Sequence, residues 1–246
     1  QMSDENSKSS TNPLAIKGLH HVELWVGNAK QASYFYRKAF GFSQLAYAGL
    51  ETGRRDRTSY VLGQGKSRLV ITASMEADSP ISAHQAKHGD GVRDIAFEVA
   101  DAAAAFEKAV ELGAHPEVEP HVHEDASGSV THAAIRTFGD TIHSFYSKPG
   151  YKGSFLPYFQ DKMIEEQSVD VIAIDHIVGN VEEGAMDEWA GWYEKVLGFH
   201  RYITFDDKDI STEYTALQSV VMSDSYGVFR MPINEPAKGK KKSQIE

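Results

Sequence analysis

The 246-residue sequence predicts an α+β fold in which one strand–helix–strand–strand unit is used three times. Three observations predict it. Alternating strands open each unit, as in LHHVELWV, GVRDIAFEV and IDHIVGNV. An amphipathic helix ending at glycine follows each of them, and then come β-rich runs separated by turn residues. The first and third copies also match letter by letter. IKGLHHVELWVGNAKQASYFYRKAFGF from Ile16 aligns with IAIDHIVGNVEEGAMDEWAGWYEKVLGF from Ile172, pairing His21 with His176 and Gly41-Phe42 with Gly198-Phe199.

Taken in order, residues 1–13 are Ser, Asn and charge with little to bury and are expected to be a disordered tail, with Gln1 before Met2 reading as an expression remnant. From Ile16 a strand sets Val22, Leu24 and Val26 on one face and His21, Glu23 and Trp25 on the other. Asn28 caps a helix running to about Phe40, where Gly41 stops it. TSYVLG and SRLVITAS read as a hairpin about the Gly63–Lys66 turn. The pattern restarts at GVRDIAFEV, with Asp101 capping a helix that Gly113 ends and the strands VTHAAIRTF and TIHSFYS after it. These two units make a domain of residues 14–150. Residues 151–170, rich in Gly, Pro and aromatics, are expected to be a packed linker to a further domain of residues 171–246. In that domain the third unit ends with TEYTALQSVVM and GVFRMPI. A lone unit leaves one apolar sheet face uncovered, so the second domain reads as half present. The expectation is an N-terminal portion of a four-unit protein, or a half completed by a partner or lost to proteolysis.

Composition narrows the chemistry. The chain is 41% hydrophobic and 24% charged, with a formal charge of −10 and a pI near 5.6, which argues against nucleic acid or an acidic membrane face as partner. It has no cysteine, so disulfide scaffolds, thiolate metal sites and thiol nucleophiles are excluded. Any metal falls to the 11 histidines and the carboxylates. No apolar run is long enough to span a membrane and no leader is evident, so a cytoplasmic protein is expected.

Four sets of residues are candidates. His121 and His123 lie in EPHVHEDASGS, whose Pro and Ser favour a solvated loop over a metal site. His84 and His88 have the spacing of one helical face but no HExxH carboxylate, so a metal is not expected there. His21, Asp94 and His143 occupy corresponding strand positions and could converge as a facial triad; hydrogen-bonded interior residues are the preferred reading. His176 alone would by default be a core histidine. Near it in sequence, Gln218, Ser219, Asn234 and Gln244 set uncharged polar groups beside apolar ones, as a pocket for a polar small molecule would need, although Asn234 could equally cap a turn and Gln244 start a helix.

Taken together, IDHIVGNV, WYEKVLGFHR, STEYTALQSVV and MPINEPAKGKKKSQI resemble the 4-hydroxyphenylpyruvate dioxygenases, members of the vicinal-oxygen-chelate superfamily; LHHVELWVGNA, HGDGVRDIAFEV and FGDTIHSFYS extend the resemblance across residues 14–246. The resemblance implies β-α-β-β-β modules forming one full open barrel, without metal, plus half of a second. It implies Fe(II), with His176 as first ligand and a further His and Glu lying beyond SQI. It also implies that Ser219, Asn234 and Gln244 line the substrate pocket. The implied reaction takes 4-hydroxyphenylpyruvate and O2 to homogentisate and CO2 in tyrosine catabolism, in a homo-oligomer, with the 246-residue chain alone inactive. The alternatives are hydroxymandelate synthase, acting on the same substrate, and a non-catalytic small-molecule-binding protein of the same fold.

Overall fold

The structure, a computed structural model, describes residues 12–205 and 216–237. The expected tail therefore falls almost wholly outside the described residues, as does Gln244. The chain forms two compact units, one of Lys17–Val110 with Ala114–Ile174, the other of Asp175–Glu246 with Gln1–Ile16 and Glu111–Gly113.

The first unit contains β1 (Ile16–Trp25), α1 (Ala29–Phe40), β2 (Ser43–Ala48), β3 (Arg57–Gln64), β4 (Ser67–Ser74), α2 (Pro80–His88), β5 (Gly91–Val99), α3 (Ala102–Glu111), β6 (Pro116–Asp125), β7 (Gly128–Arg136), β8 (Ile142–Ser147) and β9 (Gln160–Ile164). Its nine-stranded sheet runs β6-β7-β8-β5-β1-β4-β3-β2-β9. Within it β1 pairs β4 in parallel and β5 pairs β8 in parallel, while β2, β3 and β4, and β6, β7 and β8, are antiparallel. The second unit repeats the plan with β10 (Gly179–Asn180), α4 (Met186–Leu197), β11 (His200–Phe205), β12 (Ala216–Ser223) and β13 (Arg230–Ala237), in the order β10-β13-β12-β11. The three-fold repeat is thus present, and each copy is β-α-β-β-β. The strand after each helix is the element that the residue pattern alone does not supply.

Local chemistry accounts for the boundaries. Asn28 Oδ1 accepts from Gln31 N and starts α1, and Gly41, at φ 67°, ends it. Gly41 is needed twice over, because a Cβ there would also collide with the backbone carbonyl of Gln167. Asp101 Oδ1 accepts from Ala103 N and Ala104 N at the start of α3. Helix α4 has no side-chain cap of its own at Ala185; Glu235 on β13 accepts from Met186 N at 3.0 Å instead. One face of the first sheet packs against α1 through Val26, Ala29, Phe42, Leu62 and Ile71. In the second unit Val220, Met222, Met231 and Ile233 pack on the α4 side with Tyr193 and Val196, all fully buried.

The segment expected as a linker is built into the first unit. Phe155 and Leu156 are buried with Ala46, Val61, Val70 and Val130, and β9 extends the sheet beside β2. Aromatics concentrated between two domains pack wherever an apolar sheet face is open, and here that face is their own unit's. Gln64 fixes the return of the chain: its Oε1 accepts from Ser168 Oγ, Val169 N and Val171 N, and its Nε2 donates to Phe40 O.

His21, Asp94 and His143 do not converge. His143 is fully buried, with Nδ1 2.9 Å from Ile95 O, while Asp94 accepts from Ser144 N at 3.0 Å. His143 and Ser144 are neighbours on one strand, so their side chains leave it on opposite faces.

Gln64→Leu removes the partner of two backbone N–H groups and a carbonyl in part-buried hydrogen bonds and should cost about 1–3 kcal/mol in denaturant unfolding, without changing the secondary structure. A second outcome concerns pH. Burial holds the His143 pKa down at about 4 and the His21 pKa at about 3. A depressed folded pKa gives stability that is complete above pH ~6.5 and is lost as pH falls toward those values. Unfolding free energy should therefore fall on acidification from pH 6.5 to 5. His143→Asn, which keeps a donor for Ile95 O, should flatten that slope by about 1 kcal/mol per pH unit.

Candidate functional site

The face of the first sheet opposite α1 curves around a cavity of about 470 Å³. Strand β1 contributes His21, Glu23 and Trp25, the alternation read from the sequence, and β5 and β8 contribute Asp94, Ser144 and Tyr146. The interior carboxylates are held by hydrogen bonds. Glu23 accepts from Thr72 Oγ1 at 2.6 Å, and burial raises its pKa. Burial likewise pushes Asp94 up to about 7. His21 and His20 face each other with their Nδ1 atoms 2.7 Å apart, and burial keeps both pKa values far below the ordinary value.

His121 and His123 are not in a loop. They lie on β6, and β6 is an edge strand of the sheet, where proline loses no ladder bond that the fold needs; Pro116 and Pro120 are accommodated with register shifts on either side of Val118. Two residues apart, the two histidines share a face, and the register sets His132 of β7 opposite His121. One nitrogen from each of the three rings lies within 4.8 Å of the other two, and all three residues line the cavity. Burial, with His121 and His123 nearby, lowers the His132 pKa to about 3. Sequence reasoning misses His132; the signal is an HxH pair in alternation with Val118 and Val122, followed by a histidine in the next strand. The rings of His84 and His88 lie 4.6 Å apart and tilted on α2, and His88 Nε2 lies 2.6 Å from Asp140 Oδ2, a surface hydrogen-bond arrangement.

In the second unit, His176 forms a parallel bridge with Arg230, continuing the register of β10 on β13. It is exposed rather than a core residue, and its Nδ1 is 2.8 Å from Asp175 Oδ2. The hydrogen bond from His176, aided by Arg230, holds the Asp175 carboxyl below the usual carboxylate range. Asn234 pairs with Ser219 across β12–β13 and with Asn180 across β10–β13, and its Nδ2 donates to Asn180 Oδ1 at 3.3 Å. Residues opposite one another in a ladder share a face, and so do residues two apart along a strand. His176, Asn234 and Ser219 therefore stand on one face, the one turned away from α4. Asn234 lies in the strand and caps no turn. Ser219 is buried and Asn234 partly so.

The sequence profile of the Glyoxalase/Bleomycin resistance protein/Dioxygenase superfamily matches residues 18–141. The chain is 46% identical over 248 residues to 4-hydroxyphenylpyruvate dioxygenase of Yarrowia lipolytica, covering 96% of this chain and 63% of that protein. To the protein of the same name from Danio rerio it is 45% identical, covering 92% and 59%. A solved structure of a 4-hydroxymandelate synthase triple mutant from Streptomyces coelicolor superposes with a TM-score of 0.79 at 26% identity, over 94% of this chain and 66% of that one. The chain thus spans about three fifths of the length of the two dioxygenases. Among the described residues, no helix is long and apolar enough to cross a membrane. A match over half the sequence, on a fold built of repeated, paired β-α-β-β-β modules, makes the chain a member of the glyoxalase/bleomycin resistance protein/dioxygenase superfamily.

Proposed function

We propose that this chain is the part of a 4-hydroxyphenylpyruvate dioxygenase that carries the first module pair and the opening module of the catalytic domain. In this reading the complete protein converts 4-hydroxyphenylpyruvate and O2 to homogentisate and CO2, a step of tyrosine catabolism, as a cytoplasmic homo-oligomer. The observation that carries it is the 46% identity over 96% of the chain to a protein of that name.

The second unit supports the assignment of roles. His176 suits an iron ligand: its Nδ1 is engaged by Asp175, which orients the ring and leaves Nε2 for a metal, the carboxylate–histidine arrangement common around bound metals. Among the described residues no group of three donors includes His176, so a complete site draws on donors outside them. Fe(II), when bound, supplies the one-electron chemistry that lets dioxygen react with a 2-oxo acid. The chain's own contribution is orientation. Asn234 and Ser219, side by side on the face that carries His176, offer a donor amide and a hydroxyl to a phenol or carboxylate, and the pairing of Asn234 with Asn180 limits how its amide can turn. Gln244 belongs to the same proposed pocket and lies outside the described residues.

In a protein extended to the length of its relatives, His176→Ala should abolish Fe(II) binding and homogentisate formation while leaving the unfolding of the first unit unchanged; retained turnover would exclude it as a ligand. Product analysis separates the alternatives, since hydroxymandelate in place of homogentisate would reassign the reaction, and iron-independent behaviour would point to a binding protein. The 246-residue chain by itself should give no homogentisate when supplied with Fe(II), substrate and O2, and measurable product would overturn the proposed site.

A further inference from the structure

We propose that His121, His123 and His132 form a second transition-metal site, in the first unit, with an open coordination position facing the 470 Å³ cavity. The three rings come from two adjacent strands and are held before any metal arrives. His121 Nδ1 is 2.9 Å from Glu119 O, to which it can only donate, so its Nε2 presents a lone pair. That Nε2 lies 2.7 Å from His123 Nε2. His132 is stacked on Tyr146 at 4.5 Å and 10°, and its Nε2 is 3.0 Å from Ser144 Oγ, so the plane of the ring is held on two sides. His123 packs edge-on against Tyr158.

A tetrahedral metal with bonds of about 2.0–2.1 Å needs ligand nitrogens about 3.3 Å apart. The trio, spread between 2.7 Å and 4.8 Å, reaches that spacing by side-chain shifts of an ångström or less. Three imidazoles without thiolate or carboxylate in the group select Zn2+, Co2+, Ni2+ or Cu2+ over Mg2+ and Ca2+. Three protein ligands leave a fourth position for water or a small oxygen donor from the cavity, whose lining includes Arg54, ion-paired with Asp56, and Arg93, ion-paired with Glu117. Arg54 also opposes a dication at His123, so the affinity should be moderate rather than that of a closed structural site. This site is independent of the ligand proposed at His176.

The test is titration of the 246-residue chain with Zn2+ by calorimetry and with Co2+ by visible absorption. The expected result is one saturable site per chain, with the absorption of nitrogen-ligated tetrahedral Co2+. The double variant His121→Gln/His123→Gln, on an edge strand where the fold tolerates change, and separately His132→Gln, should each weaken Zn2+ binding by at least about 100-fold, more than loss of an outer-shell partner costs. His176→Ala should leave it unchanged. Absence of saturable binding in the unaltered chain, binding that survives in the folded double variant, or binding lost in His176→Ala would each overturn the proposal.

Discussion

Side chains two apart on a strand leave it on the same side, and residues facing one another across a ladder share that side. The groupings of polar side chains on the two sheets depend on that constraint. It sends Val22, Leu24 and Val26 away from His21, Glu23 and Trp25 on β1. It aligns His121 and His123, with His132 opposite, and it aligns His176, Asn234 and Ser219 across three strands of the second sheet. A one-residue slip of β6 would exchange the cavity-facing imidazoles of His121 and His123 for Val122, so the register and the candidate chemistry are one property. The buried faces hold the register: Val220, Met222, Met231 and Ile233 in the second unit, and Leu62 and Ile71 in the first, can satisfy their helices in one alignment only.

The repeat then shows how one residue can decide what a position does. His21 and His176 are the same position of the repeated unit. The residue before His21 is His20, whose ring lies 5.0 Å away at a near-perpendicular angle, inside a cluster with Tyr146 and Phe155. That imidazole, buried and beside another, is kept neutral. Before His176 stands Asp175, a carboxylate that accepts a hydrogen bond from Nδ1 of an exposed ring. One copy has become part of an interior; the other is an exposed ring held by a carboxylate. The duplication supplied the frame, and the preceding side chain set the chemistry.

Much of this frame is written in short-range patterns. Asn28, Gly41, Asp101 and Gly198 act at helix ends as their chemistry requires, and the β3–β4 and β7–β8 ladders are where alternation puts them. The features that cannot be read this way are decided at long range. β6 looks like a loop because Pro116 and Pro120 are strand-breaking in isolation; only the sheet order reveals that they sit on an edge. The aromatics of residues 151–170 announce a packed linker but not its partner: Phe155 and Leu156 cover the open face of their own unit, and Gln64 ties down the backbone at Val169 and Val171. His132 is illegible for the same reason, since its importance comes from a cross-strand partner eleven residues earlier and not from its own neighbours.

The histidine trio differs from the repeat positions in a way that bears on its origin. Module equivalents of the β6–β7 ladder are β2–β3, where Gln44 faces Leu62 and Tyr47 faces Tyr60, and β11–β12, where Ile203 faces Val221. Neither ladder carries an imidazole pair at these facing positions, so the trio is an elaboration of a single copy. Two of its members stand on β6, and an edge strand with bulged register carries little of the core, while His132 stands on β7 among the buried Val130, Ala133 and Ala134. An edge strand of that kind can accept polar, ring-bearing side chains at low cost to stability, whereas His21 on β1 and Asp94 on β5, central in the sheet, are buried and pushed toward their neutral forms. Position in the sheet therefore divides the labour, with central strands supplying satisfied interior polar groups and the edge of the second module supplying imidazoles that remain accessible to a cation.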